Sequence, residues 1–229
     1  TVPAILLLVV NHPADKGLYP DGSEHPPETV TKGAAPASVT TKTLIADPTF
    51  WLITLSFGVI LYGIKGVLSN MVPLAVDAGV AAATAAFLIS IYSGCSFAGK
   101  VVFAALADKF NLKLVLVVGL LGFIAGLCGF WQAEAGYWIL LAGSILLGCA
   151  VGGLLPLNAM MIAKSFGQTN VGRVMGLATL AGLPLNFAAP PLFGLARDTT
   201  GSYDPAVIGF IVVAIIAVVL VPKIRMSER

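Results

Sequence analysis

The sequence predicts an all-α integral membrane protein with a bundle of six membrane-spanning helices. Composition is the first observation that predicts it. Of 229 residues, 58% are hydrophobic and only 10% are charged, against about 25% charged in an ordinary soluble domain. A chain this poor in polar groups cannot clothe a globule of its size, and lipid is the solvent that suits it. The second is a series of long stretches without Asp, Glu, Lys or Arg: 78–99, 114–133, 135–163, 174–196 and 205–222. Roughly 20 apolar residues of helix cross a bilayer core. A sixth stretch, Phe50–Val76, carries one charge, Lys65. The third is that basic residues gather at alternate turns between these stretches.

In chain order, residues 1–10 form an apolar stub too short to span, and they read as the tail of a preceding transmembrane helix. Residues 11–48 are rich in Pro, Gly, Ser, Thr and charge and read as a cytoplasmic linker. Within it, Leu44-Ile45 beside Asp47-Pro48 suggests a short interfacial turn. The six spans occupy 49–222, and 223–229 form a cytoplasmic tail. The first span carries Tyr62, Lys65, Ser69 and Asn70, and the second Tyr92, Ser93 and Ser96. The fourth carries Asn158, and the fifth Thr179 and Asn186. The third and sixth have almost no hydrogen-bonding side chains. Polar groups facing lipid are costly, so the bland pair should be peripheral and the other four should line an interior. Gly122/Gly126, Gly148/Gly152 and Gly172/Gly176 have the spacing that lets helix backbones approach. Pro184 and Pro190-Pro191 are expected to interrupt the fifth span.

Orientation follows from the turns. Lys16, Lys32, Lys42, Lys100, Lys109, Lys113, Lys164, Arg173, Lys223, Arg225 and Arg229 fall on one side, and only Arg197 on the other, with Asp77, Glu134, Asp198 and Asp204. The positive-inside rule puts the basic side and the C-terminus in the cytoplasm. Trp131, Tyr137 and Trp138 bracket the opposite turn, and Phe50-Trp51 open the first span, as interfacial aromatics do.

Lys65 carries the most chemistry. It lies 15 residues after Phe50, about 22 Å along the helix. A charge at membrane depth costs about 2.5–3.5 kcal/mol on the insertion scale, so it needs a wet cavity, a partner or an anionic ligand. Gly58, Tyr62, Lys65 and Ser69 share one helix face. Asn186 lies on the stripe Thr179, Leu183, Asn186, Pro190. Tyr62, Lys65, Ser69 and Asn186 are therefore the candidate substrate-binding residues. The bland alternative has Lys65 snorkelling to the headgroups or pairing with a carboxylate such as Asp77. At the basic side, Asp108 against the helix start at Asn170–Arg173 is a candidate cytoplasmic latch, with Lys109, Lys113 and Arg173 beside it. The alternative there is an ordinary charged turn.

The turn Ala104-Ala105-Leu106-Ala107-Asp108-Lys109-Phe110-Asn111-Leu112-Lys113 resembles the signature cytoplasmic loop of the major facilitator superfamily, Gly-x-Leu-Ala-Asp-Arg-x-Gly-Arg-Arg. Ala104, Asn111 and Leu112 depart from it. Phe166-Gly167, Gly172-Arg173, Met175-Gly176, Ala189 to Gly194, Asp198 and Thr200 to Tyr203 resemble the monocarboxylate-porter and oxalate/formate-exchanger branch. The loop text His12-Pro13 and Gly17 to Gly22 resembles the central loop of bacterial members. The resemblance implies the C-terminal six-helix half of a twelve-helix transporter in a bacterial inner membrane. It also implies a missing N-terminal six-helix half and alternating access around a midplane site. The implied cargo is a small organic anion such as a monocarboxylate, moved with a coupling proton or an exchanged anion.

Other classes find less support. Net charge is only +2, so nothing points to nucleic acid. Cys95, Cys128 and Cys149 sit in apolar runs without a CxxC, and His12 and His25 lie in one polar loop, so no metal, cofactor or disulfide framework is indicated. No nucleophile–base pair suggests an enzyme, and no GxxxxGK suggests a pump. A non-transporting sensor or scaffold with a transporter-like fold stays open as the second reading.

Overall fold

The computed structural model describes residues 40–224 and 226. The expected preceding-helix tail, most of the linker and most of the C-terminal tail lie outside the described residues. The elements are a short helix α1 (Thr41–Ala46) and six long ones: α2 (Pro48–Asp77), α3 (Ala82–Lys109), α4 (Leu112–Trp131), α5 (Tyr137–Phe166), α6 (Val171–Thr200) and α7 (Asp204–Leu220). Brief 3₁₀ turns at Ala133–Ala135, Gln168–Asn170 and Val221–Lys223 complete the set. No strand occurs among the described residues. All six long helices are long and apolar enough to cross a membrane.

The ends of the helices have local causes. Asp47 accepts from the Thr49 amide at 2.7 Å, with Pro48 at the first helical position, and this starts α2. Asn111 does the same for α4 through the Lys113 amide at 2.9 Å. The glycines at the ends of α5 and α6, Gly167 and Gly201, have φ of 84° and 78°, a conformation that glycine adopts without steric cost. The prolines did not break α6. The helix runs unbroken through Pro184, Pro190 and Pro191, because packing against neighbours keeps a span helical where proline removes one bond.

Most pairings join helices that are not sequential. α5 packs chiefly on α3 and α4, α2 on α6, and α4 on α7. Glycines set the closest approaches. Gly148 and Gly152 of α5 lie against the Tyr92 and Ser96 carbonyls of α3, and Gly126 of α4 against Leu147. Gly172 and Gly176 face open space, so the third glycine pair makes no such contact here.

Each span's surroundings refine the peripheral-versus-lining expectation. α7 turns Val212, Val213, Ile215, Ile216 and Val219 outward, an apolar face suited to lipid. α4 is better covered, with Leu116, Leu120, Phe123 and Leu127 fully buried. α3 buries one narrow stripe, Ala85, Leu88, Tyr92, Gly99, Phe103 and Ala107, and α6 buries still less, only Val174, Gly182, Ala189 and Phe193. These two polar spans leave most of their circumference uncovered in the six-helix unit rather than enclosing an interior by themselves.

Candidate functional site

The site grows from the seam between α2 and α6, which run in the same direction, from the bundle's basic end to its acidic end. Gly182 of α6 lies directly under the Tyr62 ring, where any side chain would collide with the phenol. Further along, Gly66 lies against the Phe193 ring and the Ala189 carbonyl. At the acidic end Arg197 Nε meets Asp77 Oδ2 at 2.6 Å. Asn186 is one turn beyond Gly182 and one short of Ala189, which puts it level with Lys65 and Gly66. Its Oδ1 is buried and has no hydrogen bond among the described residues.

α2 is well buried except along one stripe, where Trp51, Leu55, Lys65, Ser69, Pro73 and Val76 are exposed and Tyr62 is half-buried. Lys65 is the eighteenth residue of the 30-residue helix, about 4 Å past its midpoint. Among the described residues it makes no hydrogen bond or ion pair. The alternative that tied it to Asp77 is overturned: Arg197 holds that carboxylate, which lies about 18 Å further along the axis.

A small polar cavity of about 40 Å³ opens on the basic side of Tyr62. Thr54 and Tyr62 from α2, Asn158 from α5 and Thr179 from α6 supply its polar groups. The Thr54 hydroxyl is buried and unpartnered among the described residues, whereas Thr179 donates back to the Met175 carbonyl at 2.8 Å. By volume the space suits one or two water molecules. The sequence reading brought Tyr62 and Asn186 to the site but overlooked Thr54.

It also misplaced Lys100. The charge-free run ends at Gly99, so Lys100 reads as a turn residue. The structure carries α3 on to Lys109, which puts Lys100 about 7 Å from the helix midpoint, with its side chain exposed. A second cation therefore lies at membrane depth, and among the described residues Lys42, Lys109, Lys113, Lys164, Arg173 and Lys223 remain at the basic end. The apolar text after it, Val101 to Ala107, was the signal that the helix continues.

The gate candidates share the basic end of the bundle but are not bonded to one another. Asp108 and Lys109 are exposed in the last turn of α3. Asp108 makes no hydrogen bond or ion pair among the described residues. Arg173 is exposed in the first turn of α6. Just before it, buried Asn170 donates to the Phe166 carbonyl at 2.9 Å. Lys113 stands apart, donating from Nζ to the Pro222 carbonyl at 3.3 Å. No group of residues suited to hold a metal ion occurs among the described residues.

Comparison with known proteins agrees with this architecture. Residues 53–228 match the family model described as Major Facilitator Superfamily. Monocarboxylate transporter 12 of Xenopus laevis is 26% identical over 168 residues, covering 71% of this chain and 36% of the relative. The Mus musculus protein of that name is 28% identical over 183 residues, covering 79% of this chain and 38% of its own length. The chain thus spans little more than a third of the curated relatives it matches.

Proposed function

The chain belongs to the Major Facilitator Superfamily, and from that premise we propose that it is one six-helix half of a secondary transporter that moves a small organic anion, such as a monocarboxylate, by alternating access. The observation that carries this is Lys65, a cation near the midpoint of a membrane-spanning helix, on its one uncovered stripe and without a partner among the described residues. Intramembrane charges of this kind mark substrate and ion pathways. The ammonium would take the substrate carboxylate, with Tyr62 and Ser69 as neighbouring donors. Asn186 Oδ1 would accept from a substrate hydroxyl or a water. Lys100 adds a second positive charge from α3. The uncovered sides of α3 and α6 would then meet a second six-helix half, and a proton or a counter-anion would couple the cycle.

The basic end and the C-terminus belong on the cytoplasmic side by the positive-inside rule. The relatives matched above are vertebrate proteins, so they lend nothing to a bacterial setting. Asp108 would close against the start of α6 in the opposite state of the cycle, with Lys109 and Arg173 alongside. Lys113, engaged by Pro222, would sit at the edge of that gate. A sensor or scaffold would gain nothing from leaving Lys65 uncompensated.

The test is uptake of a labelled monocarboxylate into proteoliposomes holding the complete transporter. Lys65→Gln should lower uptake by about tenfold to a hundredfold, the range for losing a hydrogen bond to a charged group, at normal expression. Unchanged uptake refutes the assignment. Asp108→Asn should change the rate at which cysteines placed at the basic end react with an impermeant label, and an unaltered rate removes the gate.

A further inference from the structure

A different cavity lies at the basic end, away from the α2–α6 seam. It measures about 830 Å³ and sits between the first turn of α2, the first turn of α4 and the end of the chain's last helix. Its walls are of two kinds. Leu52, Ile224 and Met226 are apolar, whereas Lys113, Lys223 and Thr49 are polar.

We propose that this cavity binds the headgroup of an anionic phospholipid from the leaflet at the basic end. The charge balance favours an anion. α2 and α4 begin here while α1 and the last helix end here, and the Asp47 carboxylate already caps α2, so the sign is set by the two lysines, which outnumber that carboxylate. Lys113 spends one proton on the Pro222 carbonyl at 3.3 Å, which leaves two donors and the full charge. Lys223, exposed and lining the same cavity, supplies a second cation. Thr49 adds an independent sign. It is only 4% exposed, lines the cavity, and its hydroxyl makes no hydrogen bond among the described residues. A phosphate or glycerol oxygen in the cavity would give this hydroxyl a partner.

A lipid fits better than a free ion for two reasons. The polar wall is continuous with an apolar one, as a headgroup with its first acyl carbons requires. The site also lies at interface depth, since Trp51, one turn into α2, is 41% exposed and its Nε1 donates to the Ile45 carbonyl at 2.8 Å, the posture of an interfacial anchor. The volume falls in the range of small-molecule sites. Basic pockets between helix ends bind such headgroups in general. The proposal rests on the bundle spanning a membrane and not on the transport reading.

The test uses the full chain in neutral detergent and counts bound lipid by native mass spectrometry during titration with phosphatidylglycerol or phosphatidylcholine. Saturable binding of phosphatidylglycerol, stronger than of phosphatidylcholine, is expected. The double variant Lys113→Gln/Lys223→Gln should weaken it about tenfold. The control Lys109→Gln/Lys164→Gln removes the same charge from the same end outside the cavity and should change affinity less than twofold. Lys223→Gln alone, which touches no bond of the fold, should give an intermediate loss and guards against misfolding of the double variant. Equal loss in both double variants, or no preference for the anionic lipid, overturns the proposal. So does full displacement of the lipid by millimolar inorganic phosphate, which would mark a free-anion site instead.

Discussion

The seam between α2 and α6 treats charge in opposite ways at its two extremes of depth. At the acidic end Asp77 and Arg197 meet at 2.6 Å, both about 40% exposed, where water already solvates them. Near the midpoint Lys65 has no counter-ion among the described residues, and the buried amide oxygen of Asn186 at its level is also unpaired. Stability alone would favour the reverse, with the deep groups satisfied and the shallow ones left to solvent. Pairing at the rim marks a tie between helices, and the lack of pairing at the centre is what the proposed transport reading draws on.

The comparison can be broken most severely by filling the seam. Gly182→Leu would drive a side chain into the Tyr62 ring. Overpacking of this kind costs about 1–3 kcal/mol, so thermal unfolding in detergent should move to clearly lower temperature and uptake should fall with it. An unshifted transition would mean the two helices are not held at this distance. Asn186→Leu sharpens the contrast. Removing an unsatisfied buried group should leave stability unchanged or slightly higher, while uptake by the complete transporter drops about tenfold. A loss of stability would show that Asn186 is structural. The smallest effect belongs to the rim. Asp77→Asn should leave both the unfolding temperature and uptake within experimental scatter, as for most exposed ion pairs, and a large loss would make that bridge part of the mechanism.

What could be read in the sequence follows from which signals are local. The spans were legible because lipid excludes charge, so the charge-free runs outline the helices. Their ends were less so: α3 continues ten residues past its last uncharged run, from Gly99 to Lys109, because a lysine on an uncovered face does not end a helix. Lys65, Tyr62 and Ser69 were legible as one face by spacing alone, and the structure puts them on the exposed stripe of α2. The partners were not legible. That Asp77 belongs to Arg197, 120 residues away, or that Gly182 lies under Tyr62, depends on how helices distant in sequence pack. The same holds for the buried Thr54 hydroxyl and for the two Gly-x-x-x-Gly pairs that make contacts while the third does not.

The nested order of the packing bears on how this chain is made. α2 seats mainly on α6, and α3 mainly on α5, so each emerges from the ribosome before its principal neighbour has been synthesised. During that interval Lys65 and the face of α3 that receives the α5 glycines have only lipid, the insertion machinery or a chaperone beside them. Biogenesis is thus a matter of waiting, and a pause or truncation ahead of α5 would strand the two helices that carry the intramembrane lysines.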